Sequence, residues 1–140
     1  MQRAPQRDDE VRIPIQTDAD IVLARQSVRE FASRLRFSAT DLTVIATAVS
    51  EMVRNVVRFA GSGEIVVELL EDPRRGVRVM CRDAGPGIAD IELAMSEGHS
   101  TYNGLGLGLP GARRLMDEFA IASELGRGTT ISMTKWEPKS

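Results

Sequence analysis

The sequence contains a single cysteine, Cys81, and a single histidine, His99. One cysteine excludes an intramolecular disulfide, and one cysteine with one histidine cannot assemble the usual zinc constellations. A reducing, cytoplasmic setting is therefore expected. An excess of either charge is also lacking: 18 Lys and Arg stand against 20 Asp and Glu, a formal net charge of -2. That balance argues against a broad electrostatic footprint for nucleic acid or an anionic membrane, and points to protein or small-molecule partners. No apolar run approaches the length of a bilayer span, and the first ten residues contain no apolar signal region. What is present is ordinary globular composition. With 140 residues, 42% hydrophobic and 27% charged, the chain can bury one core but is too short for two independent domains.

Residues 1–9 are polar and include Pro5, so a flexible leader is expected there, followed by one domain over residues 10–137 and a tail at 138–140. Alternation from Val11 to Ile15 predicts a first strand beginning near Glu10. Thr17 or Asp18 can cap a first helix, in which Ile21, Ala24, Val28, Phe31, Ala32 and Leu35 recur at helical spacing as far as Phe37. Ser38 and Asp41 have the spacing of a capping box, and Leu42, Ile45, Ala46, Val49, Val53 and Val56 then mark one face of a second helix reaching about Ala60. The β-rich runs Ile65 to Leu70 and Val77 to Arg82 flank the turn Pro73-Arg74-Arg75-Gly76 and predict a hairpin, with Cys81 on the same core-facing side as Val77 and Val79. A short helical segment at Asp90 to Glu97, a third helix at Leu109 to Phe119, and strands at Ala120 to Glu124 and Thr130 to Trp136 complete the order βααββααββ. Helices interleaved with hairpins predict a two-layer α/β sandwich, with a mixed, mainly antiparallel sheet covered on one face by helices.

Three segments could carry chemistry. On the second helix Glu51 and Asn55 lie four residues apart, about 40° apart around the axis and one turn apart along it, with Arg58 extending the line. A plain Glu51–Asn55–Arg58 polar stripe is the competing reading. Asp83-Ala84-Gly85-Pro86-Gly87 follows a strand directly, so its backbone can approach a flat ligand while the carboxylate accepts from an exocyclic amine; an Asx-capped turn is the alternative. Gly104-Leu105-Gly106-Leu107-Gly108-Leu109 opens the third helix, where unpaired backbone amides and the positive dipole end suit a phosphate. Residues 106–111 also fit the dinucleotide fingerprint, but Ser100-Thr101-Tyr102-Asn103 before them reads as a polar loop instead of the strand that fingerprint requires. No Walker A sequence is present. His99, beside the glycine-rich stretch, reads as a solvated loop residue.

Taken together, Ser50-Glu51 with Arg54-Asn55, Asp83-x-Gly-Pro-Gly-Ile88, Gly104 to Leu109, Gly108-Leu-Pro-Gly111 followed by Arg114-Leu-Met-Asp-Glu-Phe119, and Gly126-x-Gly128-Thr129 stand in the order found in the GHKL ATPase/kinase superfamily. The chain resembles most closely its RsbT-type serine/threonine protein kinases, which are related to anti-sigma-factor kinases. That resemblance implies a Bergerat-type fold using ATP and Mg²⁺. It implies Glu51 as general base, Asn55 as the Mg²⁺ ligand, Asp83 as reader of the adenine amine, and Gly85 and Gly87 lining the base pocket. Thr129 would support Asp83 through its hydroxyl or a water. Gly104, Leu105, Gly106, Leu107, Gly108 and Leu109 would wrap the phosphates, and Arg58 would touch phosphate or else cap its helix. It further implies STAS-domain substrates in a stressosome-like, partner-switching module, and a PP2C-type phosphatase activated on release. A sigma factor is a further candidate partner. The rival readings are a nucleotide-gated anti-sigma or switch-binding protein without turnover, and a dinucleotide oxidoreductase, which the missing βαβ context disfavours.

Overall fold

The computed structural model describes residues 10–71, 74–85 and 108–138. The chain begins with β1 (Glu10–Ile15), where alternation turns Ile13 and Ile15 into the core and leaves Arg12 and Pro14 exposed. Helix α1 (Ala19–Ala32) is entered through Asp20 in its first turn, whose Oδ2 accepts the backbone N–H groups of Gln16 at 2.8 Å and Thr17 at 2.9 Å. Those amides hold the Asp20 carboxyl below its usual range. Asp18, an expected cap, makes no capping bond, and the Thr17 hydroxyl donates to Asp20. The helix also ends five residues before Phe37, because the chain tightens into a turn in which the Leu35 amide reaches the Ala32 carbonyl at 2.9 Å. That turn buries Leu35 beneath the helix end, so the apolar period outlasts the helix.

Helix α2 (Ala39–Phe59) starts at the expected capping box. The Asp41 amide donates to Ser38 Oγ at 3.0 Å, and the Ser38 amide donates to Asp41 Oδ2 at 3.3 Å. Its inner face, including Ile45, Val49, Met52, Val53 and Val56, is fully buried. At its far end the amides of Ala60 and Gly61 both donate to the Val56 carbonyl at 2.9 Å, and the chain turns directly into the sheet.

Strands β2 (Gly63–Leu70) and β3 (Gly76–Asp83) form the expected hairpin. Helix α3 (Gly108–Leu115), β4 (Glu118–Glu124) and β5 (Gly128–Trp136) complete the fold. The five strands lie in the order β1-β2-β3-β5-β4, and every pairing among them is antiparallel. Residues 116–119, expected to be helical, are not: the Asp117 amide already bonds the Thr134 carbonyl, and Phe119 sits opposite Met133 on the sheet. The three-residue interval between Met116 and Phe119 mimicked a helical stripe, although both still pack on the core. The segment expected to be helical at Asp90 to Glu97, the leader and the end of the tail lie outside the described residues.

One face of the sheet, with Val67, Val77, Val79, Cys81, Ile131 and Met133, packs against the buried sides of α1, α2 and α3. The opposite face is laced by cross-strand ion pairs, Arg12 with Glu64 at 3.3 Å and Arg78 with Glu68. At the sheet end distant from Asp83, the buried Glu137 carboxylate accepts the Arg36 amide at 2.8 Å and pairs with Arg75 at 3.6 Å. It thereby ties the α1–α2 connection to the β2–β3 hairpin.

Two outcomes follow from this packing. Ser38→Ala removes one half of the box that starts the central helix and should cost about 1 kcal/mol by urea denaturation. Burial, reinforced by the nearby Asp83 carboxylate, pushes the Cys81 thiol up from 9.0 to about 12. The thiol thus stays protonated in the folded protein across the range where an exposed cysteine ionises. Iodoacetamide at about pH 8 should leave the native protein unmodified and alkylate it fully in denaturant.

Candidate nucleotide site

Asp83, Gly85 and Thr129 come together where α2 ends and the middle of the sheet begins. Asp83 closes β3, opposite Gly63 on β2 and Thr129 on β5. Its Oδ1 accepts the Gly85 amide at 2.9 Å and the Thr129 amide at 3.3 Å. Both bonds fall on one oxygen, and no donor among the described residues reaches Oδ2. A half-buried carboxylate with one oxygen committed and the other open is a fixed hydrogen-bond acceptor.

Three glycines make that arrangement possible. A Cβ on Gly63 would overlap the Arg82 carbonyl oxygen and stand 2.9 Å from Val56 Cγ1. A Cβ on Gly85 would lie 2.6 Å from Ala60 Cβ, at the end of α2. A Cβ on Gly128, whose φ is +121°, would overlap the Asp83 carbonyl oxygen. The neighbours are mostly backbone or helix-end atoms that cannot swing aside. The Cβ direction of Gly85 is turned to Ala60, so its smallness serves the closure of the strand end onto α2.

Thr129 was expected to act through its hydroxyl or a water. Its backbone N–H donates to Asp83, and its buried hydroxyl lies 2.9 Å from Ser123 Oγ. The sequence held no signal for this, since the β3–β5 register decides which group of Thr129 faces Asp83.

On α2, Glu51 and Asn55 occupy successive turns, and the span from Glu51 to Ala60 is about 14 Å at the helical rise. Glu51 is only 7% exposed. Its two oxygens lie 2.9 and 3.0 Å from Arg54 Nη1, and so its partner is Arg54, not the Asn55 or Arg58 of a simple stripe. Opposite charges at i, i+3 were the available signal for this pair. Asn55 is half-buried, and Arg58 is exposed in the last turn, where a cation complements the carbonyl end of the helix. Gly108 and Leu109 open α3, while Gly87, Gly104, Leu105, Gly106 and Leu107 lie outside the described residues.

Among the described residues no cluster of three or more His, Cys, Asp or Glu could cage a metal ion. The oxygen chemistry present is a lone carboxamide at Asn55 and the carboxylate of Glu51 beside it. This set suits Mg²⁺ of the kind that keeps most of its shell from phosphate and water, taking a single protein oxygen.

This geometry has relatives. Residues 15–135 match the model of the histidine kinase-like ATPase domain family. The chain is 45% identical to the serine/threonine-protein kinase RsbT of Bacillus subtilis over 130 residues, covering 92% of this chain and 98% of that protein. It is 35% identical to the anti-sigma F factor of Bacillus licheniformis, covering 84% of each. Among solved structures, the RsbU and RsbW domains of a Mycobacterium tuberculosis protein share the fold with a TM-score of 0.67 at 23% identity, over 99% of this chain and 34% of that one. With the order of motifs, the antiparallel sheet and these matches in agreement, the chain belongs to the histidine kinase-like ATPase domain family and, within it, to the RsbT-type serine/threonine protein kinases.

Proposed function

We propose that this kinase transfers the γ-phosphoryl group of Mg²⁺-ATP to a serine or threonine of a STAS-domain protein in a cytoplasmic, stressosome-like partner-switching module, and that its release from that partner activates a PP2C-type phosphatase. The observation that carries the reading is the pairing of two features within one helix length. An acceptor carboxylate, Asp83, is fixed at the end of the sheet, and a carboxylate with a carboxamide, Glu51 and Asn55, stands on the adjoining helix.

Each residue then has a chemical task. Asp83 Oδ2 accepts from the exocyclic amine of adenine, an interaction that a guanine carbonyl at the same place would turn into repulsion. The Asn55 side-chain oxygen holds Mg²⁺, which when bound neutralises charge on the phosphates. Gly108 and Leu109, together with residues 104–107, supply amides for the phosphates, as the unpaired first turn of a helix does. Glu51 receives the proton of the attacking hydroxyl. Phosphoryl transfer depends chiefly on positioning and electrostatics, so Glu51 contributes less than the groups that align the phosphates. Arg58, exposed in the last turn of α2, touches phosphate or else caps its helix.

The anti-sigma F relative supports a second reading, in which nucleotide gates the binding of a sigma factor or an antagonist without turnover. The two separate on a pair of variants. Glu51→Gln keeps the shape and removes the base: it should bind Mg²⁺-ATP nearly as well as the wild type, retain its STAS partner, and phosphorylate it at least about a hundredfold more slowly. Asn55→Ala should lose nucleotide affinity as well as turnover. Labelled ATP with purified STAS-domain proteins provides the assay, with the phosphosite mapped by mass spectrometry. Transfer by Glu51→Gln at the wild-type rate would remove Glu51 from its role, and tight binding of a STAS protein that is never phosphorylated would favour the gated binder.

A further inference from the structure

The Glu51 carboxylate raises a physical question that its role as a base does not answer. Carrying a full charge at 7% exposure is costly without compensation, and a three-bond side chain has rotamers to lose before it can meet a substrate in one geometry. Arg54 answers both demands. A single nitrogen, Nη1, stands 2.9 Å from Oε1 and 3.0 Å from Oε2, so that nitrogen is nearly equidistant from the two carboxylate oxygens. The near-symmetric contact uses about one lone pair on each oxygen and leaves the others available. Arg54 is itself on α2, one turn along, so the pair moves as one body with the helix that also bears Asn55. Its side chain is 24% exposed, and among the described residues its hydrogen bonds and ion pair go to Glu51 alone.

We propose that Arg54 is the positioning residue of the phosphoryl-transfer site: it holds the Glu51 carboxylate oriented so that one oxygen presents a lone pair to the acceptor hydroxyl, and it touches neither nucleotide nor acceptor. This rests on the reading of Glu51 as the base. A base held in place by a neighbour on its own helix also needs no loop or partner to assemble it. The acceptor protein therefore has only to deliver its hydroxyl.

Because Arg54 acts through Glu51, its removal matters only while Glu51 is present. Arg54→Met should reduce the turnover rate about tenfold to a hundredfold, the range expected when a reacting group loses its alignment, with Mg²⁺-ATP affinity within about twofold of wild type. Arg54→Lys, which restores a cation on a shorter, non-planar head, should recover part of the loss and covers the case in which Arg54→Met unfolds. In a Glu51→Gln background, Arg54→Met should slow transfer by less than about threefold further. The guanidinium N–H resonances of Arg54, protected in the wild type, should become exchange-broadened in Glu51→Gln.

A full additional loss from Arg54→Met in the Glu51→Gln background would overturn the proposal, because Arg54 would then act on something other than the base. So would an unchanged turnover rate in both Arg54→Met and Arg54→Lys. Wild-type transfer by Glu51→Gln alone is a different result, which removes the base reading itself.

Discussion

Among the described residues Asp83 keeps one oxygen free of donors because three stretches of backbone close around its other atoms without a side chain between them. Gly63 lies beside it on β2, Gly128 precedes its register partner on β5, and Gly85 turns the chain back against Ala60 at the end of α2. Any Cβ at these positions meets backbone or a helix end, so the strand end could not close as it does. The hydrogen bonds from Gly85 and Thr129 to Oδ1 exist only in that closed arrangement. The polar end of the site is thus a consequence of where side chains are missing.

The rest of the fold transmits this constraint to α2. The helix is fixed at its start by the Ser38–Asp41 box, along its length by fully buried Ile45, Val49, Met52, Val53 and Val56, and at its end by contact with Gly63 and Gly85. Its polar residues inherit that rigidity. Glu51 and Asn55 need no loop of their own, since the helix that carries them is packed against the sheet whose end carries Asp83. Sites built on packed elements hold their geometry better than sites on loops, and phosphoryl transfer gains mainly from held geometry.

Much of this is legible in the amino-acid sequence. The capping box at Ser38, the apolar face of α2 and the alternation in the β2–β3 hairpin are local patterns, and local patterns survive folding. Sequence and structure part where two structures share one pattern. Leu35 continues the period of α1 by tucking under its end, and Phe119 lies three residues from Met116 although a strand begins between them. At the site, the motif residues were identifiable one by one, but their partners were set by register: Thr129 meets Asp83 through its amide across 46 residues of sequence, and Gly63 and Gly128 matter because the strands on either side of β3 bring them against its end. Arg54 was visible as an i, i+3 neighbour of Glu51, yet only burial of the carboxylate gives that spacing weight.

The central claim is that the open oxygen of Asp83 reads the amine of adenine. Isothermal titration of the unmodified protein with ATP and with GTP, each with Mg²⁺, tests it most directly. A charge-assisted hydrogen bond replaced by two opposed acceptors should weaken GTP binding by about tenfold or more relative to ATP. Equal affinity for the two nucleotides would contradict it.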